Sequence, residues 1–162
     1  MYLEKINSPD DLKQFNMEEC VELAKEIRVH LLEAVSKKGG HLSSNLGIVE
    51  LTIAMHYVFQ SPKDKMIFDT SHQCYVHKML TGRKKAYMDI EYFGENTGYT
   101  NPKESIHDLF EFGHTSTSIS LACGIAKARD LRGDKENVIA VIGDGSVWYK
   151  KDILLLDRVE EK

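Results

Sequence analysis

Residues 137–142, "NVIAVI", form an unbroken apolar run that passes directly into "GDGS". A short strand that is apolar at every position has no solvent face, so it belongs inside a parallel sheet. The Gly-Asp-Gly turn then sits at the carboxyl edge of that sheet, where open α/β folds bind their ligands. Glycine on either side lets the backbone approach a phosphate, and Asp144 offers hard oxygen to Mg²⁺. The competing reading is a tight turn with a solvated aspartate, and the three residues alone do not separate the two.

The rest of the chain alternates in a compatible way. Residues 1–15 read as an irregular lead-in with a turn at "NSPDD". Asn16 and Glu19 make a capping box for a helix whose apolar face is Cys20, Ala24, Ile27, Leu31 and Ala34, broken by Gly39-Gly40. A second helix over about residues 46–59 is apolar on most sides, which predicts burial. "MIFD" (66–69) is a short strand, followed by a loop carrying "SHQCYVHK". Residues 88–107 are rich in Gly, Asn, Thr and Pro and predict a long loop, a length that is uncommon unless functional or disordered. A third helix starts within 115–118 and ends near Gly133. Helix and strand in alternation predict an α/β fold with a parallel sheet covered on both faces.

Composition narrows the function classes. With 162 residues, 42% hydrophobic and 28% charged, the chain has enough length for a core and no signature of disorder. A formal charge of -4 does not favour nucleic acid or an anionic membrane. The cluster Arg83-Lys84-Lys85 reads as a solvated face. Three widely spaced cysteines, Cys20, Cys74 and Cys123, and an N-terminus without an apolar core point to reduced thiols and a cytoplasmic setting. No stretch reaches the length of a membrane span.

Three further segments carry candidate chemistry. In "FGHTSTSIS", hydroxyl residues 115–118 open a helix whose free N–H groups and positive dipole end make an anion site, unless a hydroxyl merely caps it. Gly113 and His114 just before it favour the ligand reading. In "DTSHQCYVHK", Asp69 ends a strand, so His72 falls near the carboxyl edge and can hydrogen-bond a phosphate or substrate. His72, Cys74 and His77 are zinc-ligand types, but a structural zinc needs four donors and no fourth stands at a recognisable spacing. In "KKGGHLSSNLG", His41 sits in an open loop before a buried helix, and spacing alone says little of it. His30, His56 and His107 read as surface or core filler. No P-loop, dinucleotide fingerprint or Gly-x-Ser-x-Gly elbow is present.

Taken in order, "GGHLSSNLGIVELTIAMHYVF", "FDTSHQCYVHKMLTGR", "FGHTSTSISLACGIAKA" and "VIAVIGDGS" resemble one family. The chain is similar to the N-terminal part of 1-deoxy-D-xylulose-5-phosphate synthase, a transketolase-like thiamine-diphosphate enzyme. The resemblance implies a doubly wound α/β domain, a mainly parallel sheet with helices on both faces, over residues 1–146. It implies thiamine diphosphate held through Mg²⁺, with Asp144 as metal ligand, Gly145 and Ser146 at the diphosphate, and Gly113, His114 and Thr115 on a loop touching the cofactor. His72 matches a cofactor-contacting histidine, and His41 a catalytic histidine near the reacting carbon. The family joins pyruvate, after decarboxylation, to glyceraldehyde 3-phosphate, feeding isoprenoid, thiamine and pyridoxal synthesis.

Two positions depart from the family pattern beside the proposed loop: Ser71 stands in place of glycine, and Val76 in place of the usual proline. Residues 147–162, "VWYKKDILLLDRVEEK", read as a divergent tail where the family continues with a Gly/Ala-rich helix. The glutamate that activates the cofactor lies, in this family, on a later domain. The expectation is therefore a truncated cofactor domain, silent by itself and self-associating into a homodimer or larger oligomer. The alternatives are one subunit of a split enzyme and a non-enzymatic remnant.

Overall fold

The computed structural model describes residues 1–111 and 113–143. Helix α1 (Pro9–Leu12) is followed by α2 (Met17–Lys38), α3 (Leu42–Leu46), α4 (Val49–Val58), β1 (Lys65–Phe68), α5 (Tyr75–Lys78), α6 (Lys85–Met88), α7 (Ser118–Arg132) and β2 (Val138–Val141). The strands pair in parallel, Lys65 opposite Val138 through Phe68 opposite Val141. The two apolar runs read from sequence are thus neighbouring parallel strands, and the architecture is α/β. Met55 of α4 packs with Met66, Phe68 and Val141, and α7 lies against both strands.

The capping box forms as expected: Asn16 Oδ1 accepts from Glu19 N–H at 3.0 Å, and Glu19 returns a carboxylate to Asn16 N–H at 2.9 Å. Helix α2 runs 22 residues and buries Cys20, Leu23, Ala24, Ile27, Leu31, Ala34 and Val35, the fourfold–threefold stripe with two additions. Gly39, at φ +83, ends it.

Five local expectations are corrected. The lead-in is not irregular: a helical turn at Leu3–Lys5 and α1 insert Leu3, Ile6 and Leu12 fully into the core. The helix expected over about 46–59 is α4, which starts only at Val49, and a separate short helix, α3, ends before it at Leu46. Nor is α4 buried all round, since Leu51 and Val58 face solvent. The segment "YVHK" is not loop but α5, continued through a wide turn over Met79–Arg83 into α6. The basic cluster is not a solvated face: Arg83 is buried, and Lys84 Nζ clamps the carbonyls of Leu3 and Ile6 at 3.1 and 2.7 Å. Only Lys85 of the three is exposed.

Between α6 and α7 the described residues form no helix or strand. This long loop is held by buried ion pairs. Asp108 receives Arg83 in a two-pronged contact at 2.6 and 2.8 Å, His77 Nε2 at 2.9 Å and Asn101 N–H at 2.7 Å. Glu104 pairs with Lys78 and Arg83 and accepts Thr97 N–H at 2.7 Å. A loop with no ladder of its own is thereby fixed at two carboxylates, each satisfied by several donors.

Candidate functional site

Loop 69–74, which follows β1, leaves the carboxyl edge of the sheet. Asp69 N–H still bonds Val141 O at 2.7 Å, so the ends of the two strands and the first residues beyond them, Asp69 and Ile142, share that edge. Thr70 and Ser71 then take left-handed φ of 59° and 65°. For non-glycine residues this costs on the order of 1–2 kcal/mol each. Ser71 recovers part of it, because its buried Oγ accepts Thr100 N–H at 3.2 Å. Ser71 thus holds a backbone shape that ordinarily favours glycine. Val76 sits buried in the first turn of α5, a place that proline also accepts.

The reversal at 70–71 delivers His72 to His41. Their rings meet edge to face with centroids 5.2 Å apart. Tyr99, from the long loop, lies edge-on to His41 at 5.8 Å. Tyr75 Oη accepts His41 N–H at 3.3 Å and stands 3.5 Å from its Nδ1. Gly40 is required here: at φ +129, a Cβ would fall 2.9 Å from that same Oη. Burial first, and His41 second, hold the His72 pKa below the usual imidazole value, so the ring is neutral at pH 7. Its Nδ1 is buried with no hydrogen-bond partner among the described residues.

Gly113 adjoins the group through Tyr99, since a side-chain carbon on it would lie 3.9 Å from the Tyr99 ring. His114 and Thr115 follow on the same exposed stretch. The hydroxyl-rich opening of α7 does carry an anion, but it is the chain's own. Asp69 accepts the N–H groups of Ser116, Thr117 and Ser118 at 2.9, 3.1 and 3.1 Å. The expectation of free N–H groups over 115–118 is corrected on that point, because the helix dipole already faces a carboxylate. Asp144, Gly145 and Ser146 lie outside the described residues.

The three zinc-type donors part company. His77 is committed to Asp108 and to His56, whose Nε2 is 2.9 Å from His77 Nδ1. The Cys74 thiol is fully buried, and burial pushes its pKa up to about 12, far from the thiolate a metal needs. No group of three such donors converges among the described residues. His56, read as filler, is a fully buried member of this polar line. Sequence reasoning also passed over Asp69, Asn45, Tyr75 and Tyr99. A carboxylate at a strand's end followed by a hydroxyl-rich helix start is the signal that could have found Asp69.

The paired histidines and the carboxylate-capped helix start lie at the carboxyl edge of a parallel pair of strands, in a domain of the α/β class. The sequence model described as 1-deoxy-D-xylulose-5-phosphate synthase matches residues 3–149, and the chain belongs to that family. It is 59% identical over 145 residues to 1-deoxy-D-xylulose-5-phosphate synthase of Caldanaerobacter subterraneus subsp. tengcongensis, covering 90% of this chain and 23% of the relative. The enzyme of the same name from Symbiobacterium thermophilum is 54% identical over 147 residues, covering 91% and 23%. That of Dictyoglomus turgidum is 53% identical over 159 residues, 98% and 26%, a match that extends into residues 147–162. The chain therefore spans about a quarter of the length of these curated relatives, at their N-terminal part.

Proposed function

We propose that this chain forms the thiamine-diphosphate-facing part of a 1-deoxy-D-xylulose-5-phosphate synthase, a transferase of isoprenoid biosynthesis. In this reading Asp144 holds Mg²⁺, Gly145 and Ser146 stand at the diphosphate, and Gly113, His114 and Thr115 belong to a loop that touches the cofactor. His72 contacts the cofactor, and His41 faces the carbon where pyruvate and glyceraldehyde 3-phosphate are joined with loss of CO₂. When bound, the cofactor supplies the electron sink for that carbanion chemistry. The chain's own part is to hold and orient: a neutral His72 presents an unpaired nitrogen, and Tyr75 fixes the His41 backbone.

The observation that carries the reading is the His41–His72 contact, which joins two of the family's blocks at the sheet's carboxyl edge. The orphaned His72 Nδ1 fits a polar ligand better than a closed core. In the wider fold we place β1 and β2 within a doubly wound, mainly parallel sheet. As a 162-residue polypeptide alone, the chain binds the cofactor weakly and does not turn over, because the family's activating glutamate belongs to a later domain. Exposed Met17, Val21, Val29, Leu51 and Val58 on α2 and α4 support self-association. The free thiols Cys20, Cys74 and Cys123 support a cytoplasmic setting, and no helix among the described residues is long and apolar enough to cross a membrane.

The test is a chimera in which residues 1–149 replace the corresponding part of the Caldanaerobacter relative. The expected result is Mg²⁺-dependent condensation of pyruvate with glyceraldehyde 3-phosphate, lost in His72→Ala. A folded chimera that neither binds the cofactor nor condenses the substrates would overturn the reading.

A further inference from the structure

Asn45, in α3, is fully buried. Its side chain ties the loops of His41 and His72 together. Nδ2 donates to His41 O at 2.6 Å and to His72 O at 2.9 Å, while Oδ1 accepts Tyr75 N–H at 2.9 Å. Both amide protons and one carbonyl lone pair are thus used. The bonded groups come from positions 27 and 30 residues downstream and 4 residues upstream, so one short side chain sets the register between separate segments.

We propose that Asn45 is the positioning residue of the His41–His72 pair, holding the two rings in contact by fixing the backbone beneath each. The physical case rests on donors. His41 and His72 each turn a carbonyl toward the same point, and two acceptors facing one another need a donor between them that spends one proton on each. An amide does this, and no other side chain of that size does. Leucine would leave both carbonyls and the Tyr75 N–H without this partner, and aspartate would place a third acceptor against the carbonyls. The assignment rests on the proposed function only for its consequence, cofactor contact; the positioning itself is a property of the folded chain.

Two variants of the full chain separate positioning from plain stability. Asn45→Asp keeps an acceptor for Tyr75 N–H but loses at least one of the two donated bonds, whereas Asn45→Ala loses all three. Nuclear magnetic resonance of the imidazole rings reads the His41–His72 ring contact, and hydrogen exchange reads the Tyr75 amide. The expected result is loss of the inter-ring NOE in both variants, with Tyr75 protection kept in Asn45→Asp and lost in Asn45→Ala. Ile53→Val, a core change of comparable or smaller cost away from the loops, keeps both signals. If the NOE survives in Asn45→Asp, or if Ile53→Val loses it as well, the proposal fails. A wild-type chain that keeps the NOE yet shows no histidine response to thiamine diphosphate and Mg²⁺ overturns the functional reading and leaves Asn45's role standing.

Discussion

His77 donates from Nε2 to Asp108 Oδ1 at 2.9 Å, with neither side chain exposed to solvent. Arg83 and His77 hold the Asp108 carboxyl far below the usual carboxylate range, so it is ionised and only accepts. That fixes the His77 proton on Nε2, leaves Nδ1 as the acceptor for His56 Nε2–H, and makes His56 Nδ1 an unprotonated acceptor, with no partner among the described residues. The line Asp108–His77–His56 anchors the loop that carries Tyr99 to His41. Asp108→Ala leaves the buried Arg83 guanidinium with only the longer Glu104 contact at 3.3 Å as its ion pair and is expected to cost roughly 3–5 kcal/mol. Urea denaturation measures it, and a loss under about 1 kcal/mol would show that the pair is not buried as described.

Acid should loosen the same line before it reaches the carboxylates. His56 and His77 have pKa values lowered in the fold, chiefly by burial. In the unfolded chain they titrate near about 6.5. Their contribution to stability is therefore complete above that value and is lost as pH falls toward the lower folded values. Thermal unfolding is expected to drop between about pH 7 and pH 5. His56→Gln, which still donates to His77 and does not titrate, should flatten the drop without removing it, because His72 and His107 are also lowered. An unchanged slope would exclude His56.

Much of the fold was legible because periodicity reports burial on one face. The capping box of α2 and the stripe from Cys20 to Ala34 reflect local rules, and the structure follows them; the apolar run 138–141 forms its strand, but only Val141 is buried and the other three residues are half-buried. What stayed hidden depends on residues far apart in the chain. Nothing near Lys84 says that it will clamp carbonyls of Leu3 and Ile6, and nothing near Asp108 says that His77 will reach it. Likewise "YVHK" is too short to show a helical period, so α5 reads as loop. The site divides in the same way. His72 came from its place just after a strand and His41 from motif resemblance, while Asn45, Tyr75 and Tyr99 act through contacts that only the fold creates.

Ser71 pits strain against hydrogen bonding. Glycine at this position would relieve about 1–2 kcal/mol of left-handed strain, but would remove the acceptor of a buried Thr100 N–H, a loss of about 1–3 kcal/mol. Alanine keeps the strain and loses the bond. Chemical denaturation is therefore expected to rank wild type and Ser71→Gly close together, with Ser71→Ala lowest. Ser71→Ala as stable as Ser71→Gly would mean that the backbone there is not strained.

Asp69 holds the start of α7 with three N–H groups. Asp69→Ala is expected to lower stability by about 1–2 kcal/mol, the scale of a lost helix cap. Amide exchange at Ser116 and Ser118 should rise first. Equal protection in the variant would show that another group caps the helix.

The central claim is that His41 and His72 face the cofactor while His56 and His77 serve the core. It is tested most directly by following all four imidazole signals of the 162-residue chain by NMR as thiamine diphosphate and Mg²⁺ are added, a readout that registers weak binding. The account predicts that the His41 and His72 signals move and the His56 and His77 signals stay. Movement confined to His56 and His77, or no movement at any concentration reached, would contradict it.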